Sequence, residues 1–331
     1  MRQPKLFVHL PEYIVTPDSF CIDNDYNLIL SCPNFANTDM SGVMVKINVD
    51  REVTKWFDVP VHPETGKARN MGIAVVHRHD DVHDIFICDN QGWSGAEELL
   101  GKGRMLKVTM DGDKMVKWVT VANNMEHPNG VRYRDGHIYV TQSLMPLVKD
   151  PSGKMVSGVY KFSENDENIN VTNTLEDKNL IAHYITQNPA FQYGMDGIAF
   201  DKEGRLYVNN FGDGEIHRIT FNDDGSIKEN ISWARDQSQM YTTDGMIFDD
   251  EGYLYVADFA QNSVARISPD GKVERIAQSP DKSGYGGGLE QPGETVIYDN
   301  KIVCSCFDLV TGEIMINTSH DLPATLAYLD M

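Results

Sequence analysis

Six similar stretches of the chain each open on a residue that could do chemistry: Asp18, Met71, Asn129, Asp196, Asp244 and Glu294. Four are carboxylates and one is a carboxamide. Several carboxylates brought within a few ångströms of one another cannot all ionise unless something positive neutralises them. A donor set made only of oxygen suits Ca²⁺, Mg²⁺ or Mn²⁺, with Zn²⁺ or iron less natural occupants. Such a cation can polarise a carbonyl and stabilise the oxyanion that forms when water attacks it. Asp before Gly at the start of a strand is also ordinary turn chemistry. The residues alone support both readings.

The elements that must position these residues are hairpins. The clearest copy runs from Thr243 to Asp258: a short apolar run, the turn signal Asp249-Asp-Glu-Gly252, then the β-rich run Tyr253 to Ala257. The start of its first strand and the end of its second lie at one end of the ladder, so Asp244 and Asp258 should be near neighbours. The same unit recurs from Asp18, Met71, Asn129, Asp196 and Glu294, at spacings of 48 to 67 residues. Alternating runs downstream predict third strands at 42–47, 104–108, 158–162, 215–219, 263–267 and 313–316. Fourth strands are expected at 53–59, 115–121, 226–233 and 272–277.

No stretch carries the amphipathic helix of a βαβ unit. Four antiparallel strands repeated six times predict an all-β, six-bladed β-propeller, one domain over 1–331, with the six leading residues converging on a central channel and a metal site on its axis. The N-terminal run Lys5 to Leu10 is expected to complete the last blade beside Ala324 to Leu329. Residues 143–157 and 163–195 read as long loops and a candidate lid, and Trp93 to Gly103 as a short helix over the same mouth.

Several further positions surround the predicted site. His127, before Pro128-Asn129, is a candidate second base. Asn90, Gln142, Asn209, Asn210 and Asp258 end second strands and should hydrogen-bond the ligands or meet substrate. Met71 is a poor partner for a hard cation. Glu294 heads a hairpin two residues shorter than the Asp244 copy, which would offset its carboxylate. Neither is expected to ligate directly, and Glu294 is a candidate to hydrogen-bond the ligands or meet substrate. His62, His77, His79 and His83 share no ligand spacing and read as solvated. Gly284-Tyr-Gly-Gly-Gly288 lacks the Lys-Ser/Thr of a phosphate loop and reads as a mobile rim. Ser41, Ser94 and Ser143 sit in no nucleophile elbow.

Composition bounds the rest. Lys plus Arg is 29 against Asp plus Glu 49, a net charge of −20, which argues against nucleic acid and anionic membrane surfaces. The expected partner is a small-molecule substrate. Five cysteines without Cys-x-x-Cys pairing fit reduced thiols, the N-terminus lacks a signal-peptide apolar run, and no stretch approaches a membrane span. A cytoplasmic location is expected.

The run Asp244-Gly-Met-x-x-Asp-x-x-Gly-x-Leu-Tyr-Val-Ala resembles the gluconolactonase/regucalcin (senescence-marker-protein) family of six-bladed propellers. The resemblance extends over nearly the whole chain, with the other five copies looser. It implies one axial divalent cation, Ca²⁺ first and Mg²⁺, Mn²⁺, Zn²⁺ or iron as alternatives, and hydrolysis of sugar lactones. Relatives with the same propeller hydrolyse organophosphates. The family pattern takes an acid from blade one, Asn from blades three and four, and Asp from blade five. Asn129 and Asp244 match it, Asp18 stands where Glu is usual, and Asp196 where Asn is usual. The resulting expectation is a metal-dependent lactonase in which Asp18, Asn129, Asp196 and Asp244 hold the cation and Asp244 is the general base. The alternatives are another metal-assisted reaction on a small polar metabolite and a non-catalytic binding propeller.

Overall fold

The computed structural model describes all 331 residues. The chain builds six sheets, each opened by one of the six hairpins and antiparallel but for one two-residue edge strand, and its fold is a six-bladed β-propeller. Contacts divide it into two compact units: Met1–Ser19, Thr186–Gln192 and Asp196–Met331 form one, Phe20–Ile185 and Tyr193–Met195 the other.

In the second of these units, blade one is Phe20–Ile22, Leu28–Cys32, Val43–Ile47 and Val53–Asp58. Blade two is Asn70–His79, Val82–Asp89, Gly103–Asp111 and Lys114–Met125. Blade three is Pro128–Arg134, His137–Gln142, Val156–Ser163 and Leu180–Ile185. In the other unit, blade four is Met195–Phe200, Leu206–Asn210, Glu215–Phe221 and Ile227–Arg235. Blade five is Met246–Phe248, Leu254–Asp258, Ser263–Ile267 and Val273–Gln278.

Second strands are covered on both faces, so they read as continuous apolar runs: Leu28–Cys32, Leu206–Asn210 and Leu254–Asp258 are buried throughout. Fourth strands keep a solvated face and alternate, as in Ile227–Arg235. Turn chemistry fixes the register. Arg134 pairs with His137 across Asp135-Gly136, and Tyr298 with Lys301 across Asp299-Asn300; all four turn residues have positive φ, the geometry of a two-residue type I′ turn. Blade-to-blade packing uses the apolar side chains those registers align, such as Ile29 and Met44 against Ile73, Ile87 and Leu106.

Blade six departs from the expected strand order. Residues 313–316 form a turn closed by Met315 N donating to Gly312 O, not a third strand. The third strand is Thr325–Asp330 and the fourth is the N-terminal Lys5–His9, paired with it as anticipated. Four alternating residues beside an exposed Gly312 are too few to hold a register. The segment is held instead by Asp308, which accepts from Asn317 Nδ2 at 2.9 Å and from Asp321 N at 2.7 Å.

The insertions are also more ordered than expected. Within 163–195, Ile169–Asn170 pairs in parallel with Ala122–Asn123 of blade two, and Leu180–Ile185 supplies the missing fourth strand of blade three. Glu97–Leu99 forms one turn of 3₁₀ helix. The glycine run is not a loose rim: Gly284–Gly286 is a 3₁₀ turn, and Tyr285 stacks on His9 at 4.4 Å. His77 and His79 are exposed, whereas His62 and His83 are buried, with His83 Nδ1 bonded to the Asp81 carbonyl. No disulfide joins the five cysteines, and no helix is long and apolar enough to cross a membrane.

Candidate active site

Within the unit that holds blades four to six, Asp18, Asp196, Asp244 and Glu294 form one electrostatic cluster. Asp196 and Glu294 lie in the first strands of blades four and six, Asp244 two residues before that of blade five, and Asp18 two before Phe20. Asp18 is 6% exposed, Asp196 3% and Glu294 6%, while Asp244 keeps more accessible surface.

The glycines after Asp196 and Asp244 let neighbouring blades close up. A Cβ on Gly197 would stand 2.2 Å from the Asp244 carbonyl oxygen, and one on Gly245 2.2 Å from Glu294 Oε1. The Asp-Gly pairs thus serve close approach, the alternative to a turn role. Asn209 then locks the joint. Its Oδ1 accepts from Gly197 N at 3.0 Å, and its Nδ2 donates to the Asp244 carbonyl.

Burial is the main cause that raises all three aspartates well above the usual carboxylate range. The charge of Glu294 adds to it at Asp18; Asp18 and then Glu294 add to it at Asp196; Asp196, Asp18 and Glu294 add to it at Asp244, where the Gly245 N–H opposes the rise. The side chains do not close into a finished cage of three or more ligands. What fits a cation is the donor chemistry: oxygen throughout, concentrated negative charge, and an Asp18 carboxylate that feels the charge of Glu294 with no hydrogen-bond donor acting on it.

The other unit places Asn129 and His127 together. Asn129 Nδ2 donates to Ser143 Oγ at 3.3 Å and to Tyr193 OH at 3.4 Å. Gly72 gives Asn129 the same close approach, since a Cβ there would lie 2.1 Å from the Asn129 carbonyl oxygen. His127 is 1% exposed, with Asn90 Nδ2 2.9 Å from Nδ1 and Tyr193 OH 3.2 Å from each ring nitrogen. Burial lowers its pKa to about 4, so it is neutral at physiological pH. Tyr193 was missed at the sequence level because it sits in the irregular insertion, outside every repeat position. Met71 is buried in the same unit.

The remaining candidates serve the scaffold. Gln142 accepts from Glu126 N at 2.9 Å and donates to Asn173 Oδ1 at 3.2 Å. Asn210 offers its carbonyl to Thr243 Oγ1 at 3.0 Å. Asp258 is a neighbour of Asp244 through the chain, where Asp244 N donates to Ala257 O at 2.8 Å. Its carboxylate, however, accepts from Tyr241 N, Thr242 N and Thr242 Oγ1. Asp89 accepts likewise from Arg69 N, and Asp213 from Gln187 N and Asn188 N. An acid that pins the segment entering a blade is therefore a repeated structural device here.

No protein-family model matches the chain, and no curated protein matches it by sequence. Solved structures do match. A luciferin-regenerating enzyme superposes with a TM-score of 0.63 at 11% identity, over 100% of this chain and 96% of that one. A gluconolactonase from Xanthomonas campestris gives 0.58 at 15%, over 100% and 95%. A calcium-binding regucalcin from Agrobacterium tumefaciens gives 0.59 at 11%, over 99% and 93%. At these identities the likeness establishes the shared propeller fold.

Proposed function

We propose that this chain, a propeller of the kind seen in gluconolactonases and regucalcin, is a divalent-cation-dependent hydrolase that opens a cyclic ester of a small, sugar-like metabolite. The observation that carries the reading is the meeting of Asp18, Asp196 and Glu294, all buried, with the half-buried Asp244, a charge density that calls for a cation. The likeness to a gluconolactonase supports the ester, and the likeness to a calcium-binding regucalcin supports Ca²⁺ as the ion. When bound, the ion supplies Lewis-acid polarisation of the substrate carbonyl.

Asp18 and Asp196, both buried, and Asp244 beside them are the holding carboxylates. Asp244 keeps the most accessible surface of the four acids, which suits it to take the proton of the attacking water. Asn209 holds the Asp244 main chain still while it does so. A second reading, another metal-assisted reaction on a small polar metabolite, is favoured by Glu294, an acid that the two-acid pattern of the lactonases lacks.

A panel of lactones read by acid release, with and without chelator, tests the proposal. At least one lactone should be hydrolysed, chelation should abolish turnover, and added Ca²⁺ should restore it. Turnover of no lactone, or turnover indifferent to chelation, would refute the proposal.

A further inference from the structure

We propose that Glu294 is itself a direct oxygen ligand of the cation, so that the ion is held by four carboxylates rather than three. This rests on the cation reading above and reverses the sequence expectation for Glu294. That expectation assumed that the shorter blade-six hairpin displaces its carboxylate. The shortening lies at the other end of the hairpin, in the two-residue turn Asp299-Asn300, where Tyr298 pairs directly with Lys301. The end that carries Glu294 is fixed: Glu294 N donates to Ser305 Oγ at 2.9 Å.

The carboxylate is also aimed. Ser19 Oγ donates to its Oε2 at 3.3 Å, and Thr295 N to its Oε1 at 3.2 Å. Its Oε1 occupies the space that a Cβ on Gly245 would fill, directly beside Asp244. Close by lies Asp18, 6% exposed, whose Oδ1 would stand 3.3 Å from a Cβ on Gly293; its carboxylate has no donor acting on it and has Glu294 as its charged neighbour. Two neighbouring, buried carboxylates with no donor on one of them call for positive charge, and a hard cation would take oxygen from both. A fourth negative ligand should strengthen the response to ionic charge, so a trivalent probe should depend on Glu294 more than Ca²⁺ does.

The test is titration of metal-free wild type and Glu294→Gln with Ca²⁺ by calorimetry and with Tb³⁺ by luminescence. The variant should bind Ca²⁺ at least about tenfold more weakly and Tb³⁺ more weakly still. Its metal-free melting temperature should equal or exceed the wild-type value, because one repelling charge is gone; that readout separates lost ligation from misfolding. Glu294→Asp, which keeps the charge but retracts it by one methylene, should fall between the two. Equal Ca²⁺ affinity in wild type and Glu294→Gln overturns this inference and leaves the cation reading standing. Absence of binding by wild type overturns both.

Discussion

Fully loaded with cation, Asp244→Asn should turn over lactone at least about a hundredfold more slowly than wild type, the lower end of what a general base contributes. The amide keeps the shape and one neutral oxygen, so a purely ligating role would be repaired by saturating Ca²⁺. It cannot accept a proton, so a basic role would not. Asp196→Asn is the matched control. Asp196 is 3% exposed and lies in the same cluster, yet this substitution restores the amide usual at that position in the family pattern. It should lose cation affinity and keep substantial kcat. The comparison is kcat of both variants at saturating cation. Equal losses, or a near-wild-type Asp244→Asn, would assign the base to another residue.

Gly197→Ala should be a strongly damaging small substitution at the joint behind Asp244. The new Cβ would stand 2.2 Å from the Asp244 carbonyl oxygen, 2.5 Å from Asn209 Nδ2 and 3.0 Å from the Asp244 carbonyl carbon. Two of these are main-chain atoms, which cannot rotate away as a side-chain tip can. Blades four and five must part, and the Asn209 bridge between Gly197 and Asp244 is lost with them. Overpacking of this kind costs about 1–3 kcal/mol or more. The expected result is a clearly lowered melting temperature together with weakened cation binding. A variant as stable as wild type would show that the joint is more compliant than its geometry indicates.

Much of this architecture was legible because each blade writes the same local instructions. Second strands such as Leu254–Asp258 are buried on both faces and so read as apolar runs, and turns such as Asp135-Gly136 declare their type. Closure by Lys5–His9 was legible for the same reason, since a run with strand composition otherwise had no partner. The spurious strand at 313–316 shows where local pattern fails: only the competing Thr325–Asp330, far along the chain, decides which segment pairs with Lys301–Cys306.

The site divides along the same line. Asp18, Asp196 and Asp244 stood out because repetition exposed the position they share. Glu294 shared the position but was set aside on hairpin length, a quantity that did not reveal at which end the hairpin was shortened. Tyr193 carried no signal at all, because an insertion has no repeat to be compared with. Asp258 looked functional from its place at a strand end, and only its N–H partners revealed it as a brace.

The central claim is that the buried carboxylates hold one divalent cation. Calorimetric titration of metal-free protein with Ca²⁺, repeated in buffers of different ionisation enthalpy, tests it most directly. In the metal-free folded chain burial and mutual repulsion raise the carboxyls of Asp18, Asp196 and Asp244, so the folded state keeps protons that the unfolded chain has already lost. Metal-free stability should therefore fall as pH rises above the ordinary carboxylate range, and the incoming cation should displace those protons. The account predicts one ion per chain, proton release on binding, and a stabilisation of about 2.7 kcal/mol at a hundredfold excess over Kd. No heat of binding, no released protons and no shift in melting temperature would contradict it.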